Sequence, residues 1–107
     1  MYYIYIIRCD DNSLYTGITK DITRRMYQHI HKLKEAASYT KSRNVVSLEA
    51  LFIADDRSAA SKLEYQIKKL PKHKKEALIL NPSLLEAYQT TEIKNKYFNE
   101  ILKQKSK

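Results

Sequence analysis

The sequence predicts an α+β domain, with a small three-stranded antiparallel β-sheet flanked by helices in the order β-β-α-β-α and extra helices at the C-terminal end. Two runs rich in β-branched and aromatic residues lie on either side of a short polar turn, which is typical of a hairpin. A third such run lies near the middle of the chain. Apolar residues at helical spacing fill the segments that follow the second and third runs. A chain of 107 residues is long enough for one domain with one modest core.

The first two strands form the predicted hairpin. YYIYIIRC at 2–9 carries apolar residues at odd and even positions alike, which indicates a strand covered on both faces. DDNS at 10–13 has turn chemistry, and LYTGI at 14–18 is the returning strand. Asp21 is placed to cap a helix over about residues 22–34. The apolar stripe of this helix consists of Ile22, Met26, Ile30 and Leu33.

The middle of the chain supplies the third strand and the second main helix. EAASYTKSRN at 35–44 has no clean periodicity and is predicted to be a loop. VVSLEALFIA at 45–54 is the third strand. Asp56 or Ser58 then caps a helix over about residues 59–70.

The C-terminal part is predicted to be helical. Pro71 ends the preceding helix or starts a short one that stops before Pro82. Ser83 is placed to cap a final helix that runs to about residue 104. We therefore expect a main domain over residues 1–82 and a helical extension over 83–107 that packs on the domain or projects from it.

The charge favours a polyanionic partner. Twenty Lys and Arg residues against twelve Asp and Glu residues give a net charge of +8, and neutralising phosphates with such a surface releases condensed counterions. The single cysteine, Cys9, cannot form an internal disulfide, and the N-terminal segment lacks the pattern of a signal peptide. No apolar run reaches the roughly 18 to 20 residues that a bilayer span needs. We expect a cytoplasmic protein with no membrane partner.

Three features of the N-terminal third are candidates for a functional site, and each also has an ordinary structural explanation. Tyr5 and Tyr15 lie on the two hairpin strands, where tyrosine is a common strand residue. Gly17, the only glycine of the chain, interrupts a strand and marks either a simple bulge or a close approach. Arg25 and His29 are four residues apart on the first helix and share a face, which suits a site as well as a basic surface.

Two further features lie later in the chain. Glu64 follows the third strand on a helix, and Lys68 stands four residues on, which also fits a simple helical salt bridge. Tyr39, Lys41 and Arg43 interleave an aromatic ring with cations, a pattern found at nucleic-acid contacts and in solvated loops.

The order and spacing of these residues resemble the GIY-YIG nuclease superfamily. YIY at 3–5, YTG at 15–17, the helix with TRR and a histidine, and the later ASKLE carry the resemblance, which covers about residues 1–80. The chain is most similar to small stand-alone bacterial members, related to the domain that makes the 3′ incision in bacterial excision repair. Tyr3 replaces the glycine of the first motif, a position that varies in the superfamily. Asn81 is the nearest candidate for an asparagine that follows the glutamate in some relatives.

The resemblance implies a role for each site residue. Glu64 would hold Mg²⁺ (or Mn²⁺), and Arg25 would hold the scissile phosphate with its planar fork. Tyr5, or alternatively Tyr15, would take the proton from the attacking water. A phenol with a pKa of about 10 needs nearby cations for this task. His29 would assist or contact phosphate. Gly17, Tyr39, Lys41, Arg43 and Lys68 are the expected nucleic-acid contacts.

This arrangement makes a geometric demand on the hairpin. In an antiparallel pair, the sequence numbers of two residues that face each other always add up to the same total. Tyr5 and Tyr15 therefore share a face of the sheet only if that total is even. An odd-membered loop, or a bulge at Gly17, meets the demand. If residue 7 faces residue 15, Gly17 faces Tyr5 and leaves space for its ring.

We therefore predict a metal-dependent endonuclease that hydrolyses DNA phosphodiester bonds, with a structure-selective role in DNA repair or recombination on branched, damaged or single-stranded substrates. The alternative is a catalytically inactive nucleic-acid-binding module of the same fold. A third interpretation is a protein-interaction domain that uses residues 83–107. The sequence leaves open the substrate, the oligomeric state and any protein partner.

Overall fold

The computed structural model describes residues 1–32, 38–81 and 89–90. Its elements are β1 (Tyr2–Cys9), β2 (Leu14–Thr19), α1 (Ile22–Ile30), α2 (Ser38–Lys41), β3 (Val45–Ala54), α3 (Arg57–Lys68), α4 (Lys72–Leu80) and β4 (Gln89–Thr90). The strands form one antiparallel sheet in the order β2-β1-β3-β4. The predicted α+β fold with β2, β1 and β3 as its sheet is confirmed.

The two faces of β1 belong to two different cores, because side chains alternate across a strand. One core lies between the sheet and α1, and its buried members include Tyr5, Ile7, Cys9, Ile22, Met26 and Ile30. The other lies between the sheet and the helices α3 and α4, and its buried members include Ile4, Ile6, Phe52, Leu63, Ile67 and Leu78. The prediction that the first strand is covered on both sides is thus confirmed.

The hairpin has the even register that the tyrosine pair requires. Ile7 faces Tyr15, and Tyr5 faces Gly17. The turn is closed by a hydrogen bond from the Asn12 N–H to the Cys9 carbonyl, and Asn12 itself takes a φ of 68°. A left-handed asparagine at the end of an odd-membered loop, residues 10–12, is a common way to set such a register.

The helix caps follow the predicted chemistry, while two boundaries differ. The Asp21 carboxylate accepts from the Arg24 N–H, and α1 ends at Ile30, short of residue 34, because Lys32 turns into the left-handed region with a φ of 54°. Asp56 caps α3 by accepting from the Ala59 N–H, so this helix begins at Arg57, before the predicted start at 59. Pro71 precedes α4 and starts it.

Two predictions about secondary structure are wrong in part. The predicted loop at 35–44 contains the helix α2, which is stabilised by tertiary packing. The sequence did not reveal this helix because its four residues are too few to show a helical period. The predicted final helix does not run through residues 89–90, which pair with Phe52 and Ile53 on the edge of β3. The remainder of that helix and of the extension 83–107 lies outside the described residues. Within the described ranges, no helix is long and apolar enough to span a membrane.

Arg8 ties α4 to the sheet. Its guanidinium donates from Nε to Glu49 on β3 at 2.6 Å, and from Nη1 and Nη2 to the two carboxylate oxygens of Glu76 on α4 at 2.8 and 2.6 Å. A bidentate guanidinium–carboxylate pair fixes direction as well as distance. One side chain of β1 therefore holds β3 and α4 together.

Candidate active site

Gly17 provides the space in which the Tyr5 ring lies. A methyl group added to Gly17 would lie 2.6 Å from Tyr5 Cζ and closer still to its Oη. Real Cβ atoms do not approach other atoms so closely, so an L side chain at position 17 would displace the phenol. Because Tyr15 lies on the same face of β2 as Gly17, both rings lie on the α1 side of the sheet.

The Tyr5 hydroxyl is buried between two side chains of α1. Tyr5 is 1% exposed, and its hydroxyl is hydrogen-bonded to His29 Nε2 at 2.8 Å. Arg25 Nε donates to the same hydroxyl at 3.4 Å. The spacing of four residues brings both side chains to one face of α1, as the sequence predicts.

The second ring nitrogen of His29 reaches α2. Nδ1 lies 2.7 Å from Thr40 Oγ1, and both His29 and Thr40 are 0% exposed. Sequence analysis did not single out Thr40, since it lies in a segment without periodicity and its hydroxyl is of a type common in loops. No local signal identifies it, because only the tertiary fold brings it to His29.

The aromatic rings form a cluster of edge-on and tilted contacts that continues to α2. The Tyr5 and Tyr15 centroids are 6.4 Å apart, and the His29 ring lies 5.6 Å from each of them. Tyr39 lies 5.4 Å from Tyr15 on the far side, and the Arg43 guanidinium covers Tyr39 at 3.9 Å. These contacts immobilise the Tyr15 ring beside Tyr5.

Burial sets the protonation of this cluster. It raises the pKa of Tyr5 well above its ordinary value, and the hydrogen bond and charge of Arg25 oppose the shift. Burial, together with the Arg25 charge, lowers the pKa of His29 from 6.5 to about 4. Near neutral pH the site therefore holds a neutral phenol hydrogen-bonded to a neutral imidazole, with the Arg25 cation beside both.

Glu64 reaches the cluster from the other side of the sheet. Although α3 packs on the opposite face, it also contacts the edge strand β2. The Glu64 charge is one of the causes that raise the pKa of Tyr5, so the carboxylate lies within electrostatic range of the phenol. Lys68 pairs with Glu64 at 3.3 Å, and its ammonium lies 5.9 Å from the Tyr15 ring centroid. The structure thus brings Tyr5, Tyr15, Arg25 and His29 together on the α1 side of the sheet, and Glu64 approaches them through Lys68.

A cavity of about 450 Å³ opens beside Arg25, between the end of β2 and the start of α1. Its charged walls are Lys20, Asp21, Arg24 and Arg25. Arg25 Nη1 donates to Gln28 Oε1 at 2.9 Å, and this bond orients the guanidinium between the cavity and the Tyr5 hydroxyl. Sequence analysis missed Gln28 and Arg24, although both lie within three residues of Arg25.

The comparison with known protein families identifies this arrangement. The family model of the GIY-YIG catalytic domain matches residues 1–77, a stretch that contains every member of the cluster. The chain belongs to the GIY-YIG family. Its β1–β2 hairpin carries the two motifs for which this family is named, with Tyr3 at the position of the first glycine.

Several proteins of this family from bacteria are similar over most of their length. UPF0213 protein FN1575 of Fusobacterium nucleatum is 47% identical over 81 residues, which cover 76% of this chain and 79% of that protein. UPF0213 protein YhbQ of Salmonella arizonae is 40% identical, with 88% of this chain and 96% of that protein covered. The solution NMR structure of UPF0213 protein BH0048 from Bacillus halodurans matches with a TM-score of 0.48 and 38% identity, over 74% of this chain and 83% of that one.

The residues of this GIY-YIG domain that were predicted to contact nucleic acid differ in exposure and in their partners within the protein. Arg43 donates from Nε to Asp11 at 2.9 Å and from Nη1 to the Tyr39 carbonyl at 3.1 Å, besides covering the Tyr39 ring. Tyr39 is half-buried, whereas Lys41 is exposed. Asn81 caps the C-terminal end of α4, on the face of the sheet opposite to the tyrosines. The structure therefore brings Lys68 close to the Tyr15 ring and places Asn81 at the C-terminal end of α4.

The acidic groups near the cluster fit a magnesium ion that binds together with a phosphate. Among the described residues, no three His, Cys, Asp or Glu side chains converge as a preformed metal cage. Glu64, whose side chain is 22% exposed, is the carboxylate that lies in range of Tyr5. Mg²⁺ keeps several waters and takes one or two carboxylates plus substrate phosphates, so one partly exposed glutamate is a sufficient protein ligand.

Proposed function

We propose that this GIY-YIG protein is a divalent-metal-dependent endonuclease that hydrolyses phosphodiester bonds in DNA. One observation carries the proposal: a buried phenol is held between a guanidinium and a neutral imidazole, within electrostatic range of a glutamate. Hydrolysis of a phosphodiester needs an acceptor for the proton of water, positive charge at the phosphoryl oxygens and a metal ligand. The cluster offers one group for each of these tasks.

Tyr5 is the proposed acceptor for the proton of the attacking water. Burial raises its pKa and keeps it a neutral phenol, so it can take that proton only once its own hydrogen has left, and His29 Nε2 lies 2.8 Å away to receive it. Positive charge around the oxygen favours the phenolate that this transfer leaves. Arg25 already donates to that oxygen. Tyr15, whose ring centroid lies 6.4 Å from that of Tyr5, would orient the water or the phosphate.

Arg25 is the proposed phosphate ligand. Gln28 and the Tyr5 hydroxyl hold Nη1 and Nε, which places the planar group at the wall of the cavity. A guanidinium fixed in this way matches two oxygens of a phosphate. Lys20 and Arg24 line the same cavity and supply further positive charge for the neighbouring part of a DNA strand.

Glu64 would hold Mg²⁺ or Mn²⁺. When bound, such an ion neutralises charge on the phosphate and on the leaving oxygen. The chain's own contribution is one carboxylate within electrostatic range of the phenol, and this carboxylate is paired with Lys68 in the structure described here. A metal that binds Glu64 would therefore compete with Lys68 for this carboxylate.

That same ion pair favours a second candidate function, a DNA-binding module of this fold that does not cleave. If Lys68 keeps Glu64 neutralised in the presence of metal and DNA, the carboxylate is unavailable as a ligand. The basic cavity beside Arg25 would still bind a DNA strand. The two functions differ in what the Glu64 carboxylate does, and a single substitution separates them.

The test is nicking of supercoiled DNA, followed by oligonucleotides with branches, flaps, lesions or single strands, each with Mg²⁺ and with Mn²⁺. We expect the wild-type protein to cleave and Glu64→Gln to lose cleavage while it keeps its affinity for DNA. Asp55→Asn, at an exposed carboxylate next to α3, is the matched control and should cleave normally. No cleavage by the wild-type protein on any substrate, with salt-dependent binding intact, would assign the non-cleaving module. The same panel tests whether the substrates are those of DNA repair or recombination.

A further inference from the structure

A chain of hydrogen bonds joins α1, β1 and α2 inside the candidate site. It runs from Arg25 Nε to the Tyr5 hydroxyl at 3.4 Å, from this hydroxyl to His29 Nε2 at 2.8 Å, and from His29 Nδ1 to Thr40 Oγ1 at 2.7 Å. Tyr5, His29 and Thr40 are each at most 1% exposed. Water therefore does not compete for these groups, and each must be satisfied within the protein.

The direction of this chain follows from its first member. Arg25 can only donate, so the Tyr5 oxygen accepts from Nε. Among the described residues, the remaining partner of the Tyr5 hydroxyl is His29 Nε2. If Nε2 also carried a hydrogen, the buried Tyr5 O–H would lack an acceptor, and leaving a buried donor unpaired is unfavourable. Nε2 is therefore the acceptor, and the Tyr5 O–H donates to it.

The other ring nitrogen must then carry the hydrogen. His29 is neutral near pH 7, because burial and the Arg25 charge lower its pKa to about 4. A neutral imidazole has one N–H, and with Nε2 as acceptor this is Nδ1–H. It donates to Thr40 Oγ1, so all bonds of the chain point the same way and polarise one another.

We propose that Thr40 is a positioning residue whose Oγ1 accepts from His29 Nδ1–H and so holds the imidazole in the tautomer that accepts the Tyr5 hydroxyl through Nε2. With its hydrogen directed to His29, Tyr5 turns an oxygen lone pair toward Arg25 and the substrate. In the opposite tautomer His29 would donate to Tyr5, and the phenol would present its hydrogen to the attacking water. This catalytic consequence rests on the proposed nuclease function, whereas the tautomer itself does not.

The primary experiment measures the tautomer by NMR of the His29 ring nitrogens, with two variants at position 40. In the wild-type protein near pH 7 we expect Nδ1 to be protonated and Nε2 unprotonated. Thr40→Ser keeps the hydroxyl and should keep this pattern. Thr40→Val keeps the shape but removes the acceptor, so we expect the Nε2–H form to become substantially populated. A wild-type protein in the Nε2–H form, or an unchanged tautomer in Thr40→Val, would overturn the proposal.

Thr16→Val is the matched control for the loss of a buried threonine hydroxyl. Thr16 Oγ1 is buried and has no hydrogen-bond partner among the described residues, and Thr16 lies on the opposite face of β2 from Tyr15. We expect this variant to keep the wild-type ring-nitrogen pattern. If it changes the tautomer as Thr40→Val does, the effect comes from general repacking and the proposed role of Thr40 is wrong.

Cleavage assays then test the catalytic consequence. Thr40→Val should lose about 10- to 100-fold in rate, the range found for the outer partners of metal-ligating histidines, with unchanged DNA affinity and with recovery in Thr40→Ser. A full cleavage rate in a Thr40→Val protein whose tautomer has changed would exclude the catalytic role. If the wild-type protein does not cleave DNA at all, the proposed function fails, but the NMR result still decides the role of Thr40. Should Thr40→Val not fold, the wild-type and Thr40→Ser spectra still overturn the proposal if they show Nε2–H.

Discussion

The ring of Tyr5 fills the space that Gly17 leaves open on the neighbouring strand. The two residues face each other across the β1–β2 pair, and the phenol carbon Cζ would lie 2.6 Å from any Cβ at position 17. This relationship explains why the only glycine of the chain lies within a strand, where glycine is normally unfavourable. It also means that the position of the Tyr5 hydroxyl depends on a residue that carries no functional group.

Gly17→Ala should destabilise the protein, because the added methyl overlaps the phenol. We expect a loss of about 1–3 kcal/mol in the free energy of unfolding, the usual range for overpacking, together with reduced cleavage. In a Tyr5→Leu background the overlapping atoms are absent. The same substitution should then stabilise the strand by about 0.5–1 kcal/mol, because alanine loses less backbone freedom than glycine. Urea unfolding of the wild-type protein, Gly17→Ala, Tyr5→Leu and the double variant measures whether Gly17→Ala changes from destabilising to stabilising. An equal loss of unfolding free energy in both backgrounds would contradict the proposed overlap.

The two tyrosines should differ in their contribution to cleavage. Tyr5→Phe removes the proposed proton acceptor, so we expect a loss of about 10²- to 10⁴-fold in cleavage rate, the usual contribution of a general base. Tyr15→Phe keeps the ring that contacts His29 and Tyr39, and it should lose considerably less. Single-turnover rates at saturating protein separate this effect from DNA binding. A larger loss in Tyr15→Phe would assign the proton acceptor to Tyr15.

His29 should make the protein less stable in mild acid. Its pKa is about 4 in the folded state and 6.5 in the reference state. Between these values the unfolded chain binds a proton that the folded chain does not, so the free energy of unfolding falls as pH decreases from 6.5 to 4. The full shift corresponds to at most about 3 kcal/mol. Urea unfolding at pH 7 and pH 4.5 measures the fall.

His29→Gln should lose this pH dependence, and His73→Gln, at an exposed position, should keep it. The depressed carboxyl pKa of Asp11, about 2, acts in a lower pH range and does not overlap this window. An equal slope in wild type and His29→Gln would show that another group causes the acid sensitivity.

Arg24 and Arg43 should differ in DNA binding, although both are arginines near the site. Arg24 is exposed and lines the cavity beside Arg25, whereas Arg43 is held by Asp11 and covers Tyr39. Arg24→Gln should therefore weaken binding and reduce the slope of log affinity against log salt by about one. Arg43→Gln should leave the slope closer to wild type and mainly lower stability. Fluorescence anisotropy over a salt series in EDTA measures both slopes, and the reverse order would place the DNA strand at Arg43, after α2.

Much of the fold and part of the site could be predicted from local patterns. The β-branched runs located the three long strands. The requirement that Tyr5 and Tyr15 share a face of the sheet predicted a hairpin register in which the numbers of paired residues add up to an even total. The spacing of Arg25 and His29 placed both on one face of α1. These inferences succeed because a strand and a helix have fixed side-chain periods.

The remaining features depend on contacts between distant segments. Thr40 reaches His29 only because α2 packs against α1, and four residues cannot show a helical period. Arg43 pairs with Asp11, 32 positions earlier in the chain. The sequence therefore indicated a basic loop, whereas in the structure the Arg43 side chain is held by this ion pair. The edge pairing of β4 uses backbone groups, which every residue type offers, and side-chain patterns do not reveal it.

The guanidinium of Arg8 limits how far the chain can be shortened. Loss of Glu76 by truncation would remove two of its hydrogen bonds and uncover the apolar surface beneath Leu78. The smallest fragment that keeps its sheet intact should thus retain all of α4, even though none of the proposed catalytic groups lies on that helix.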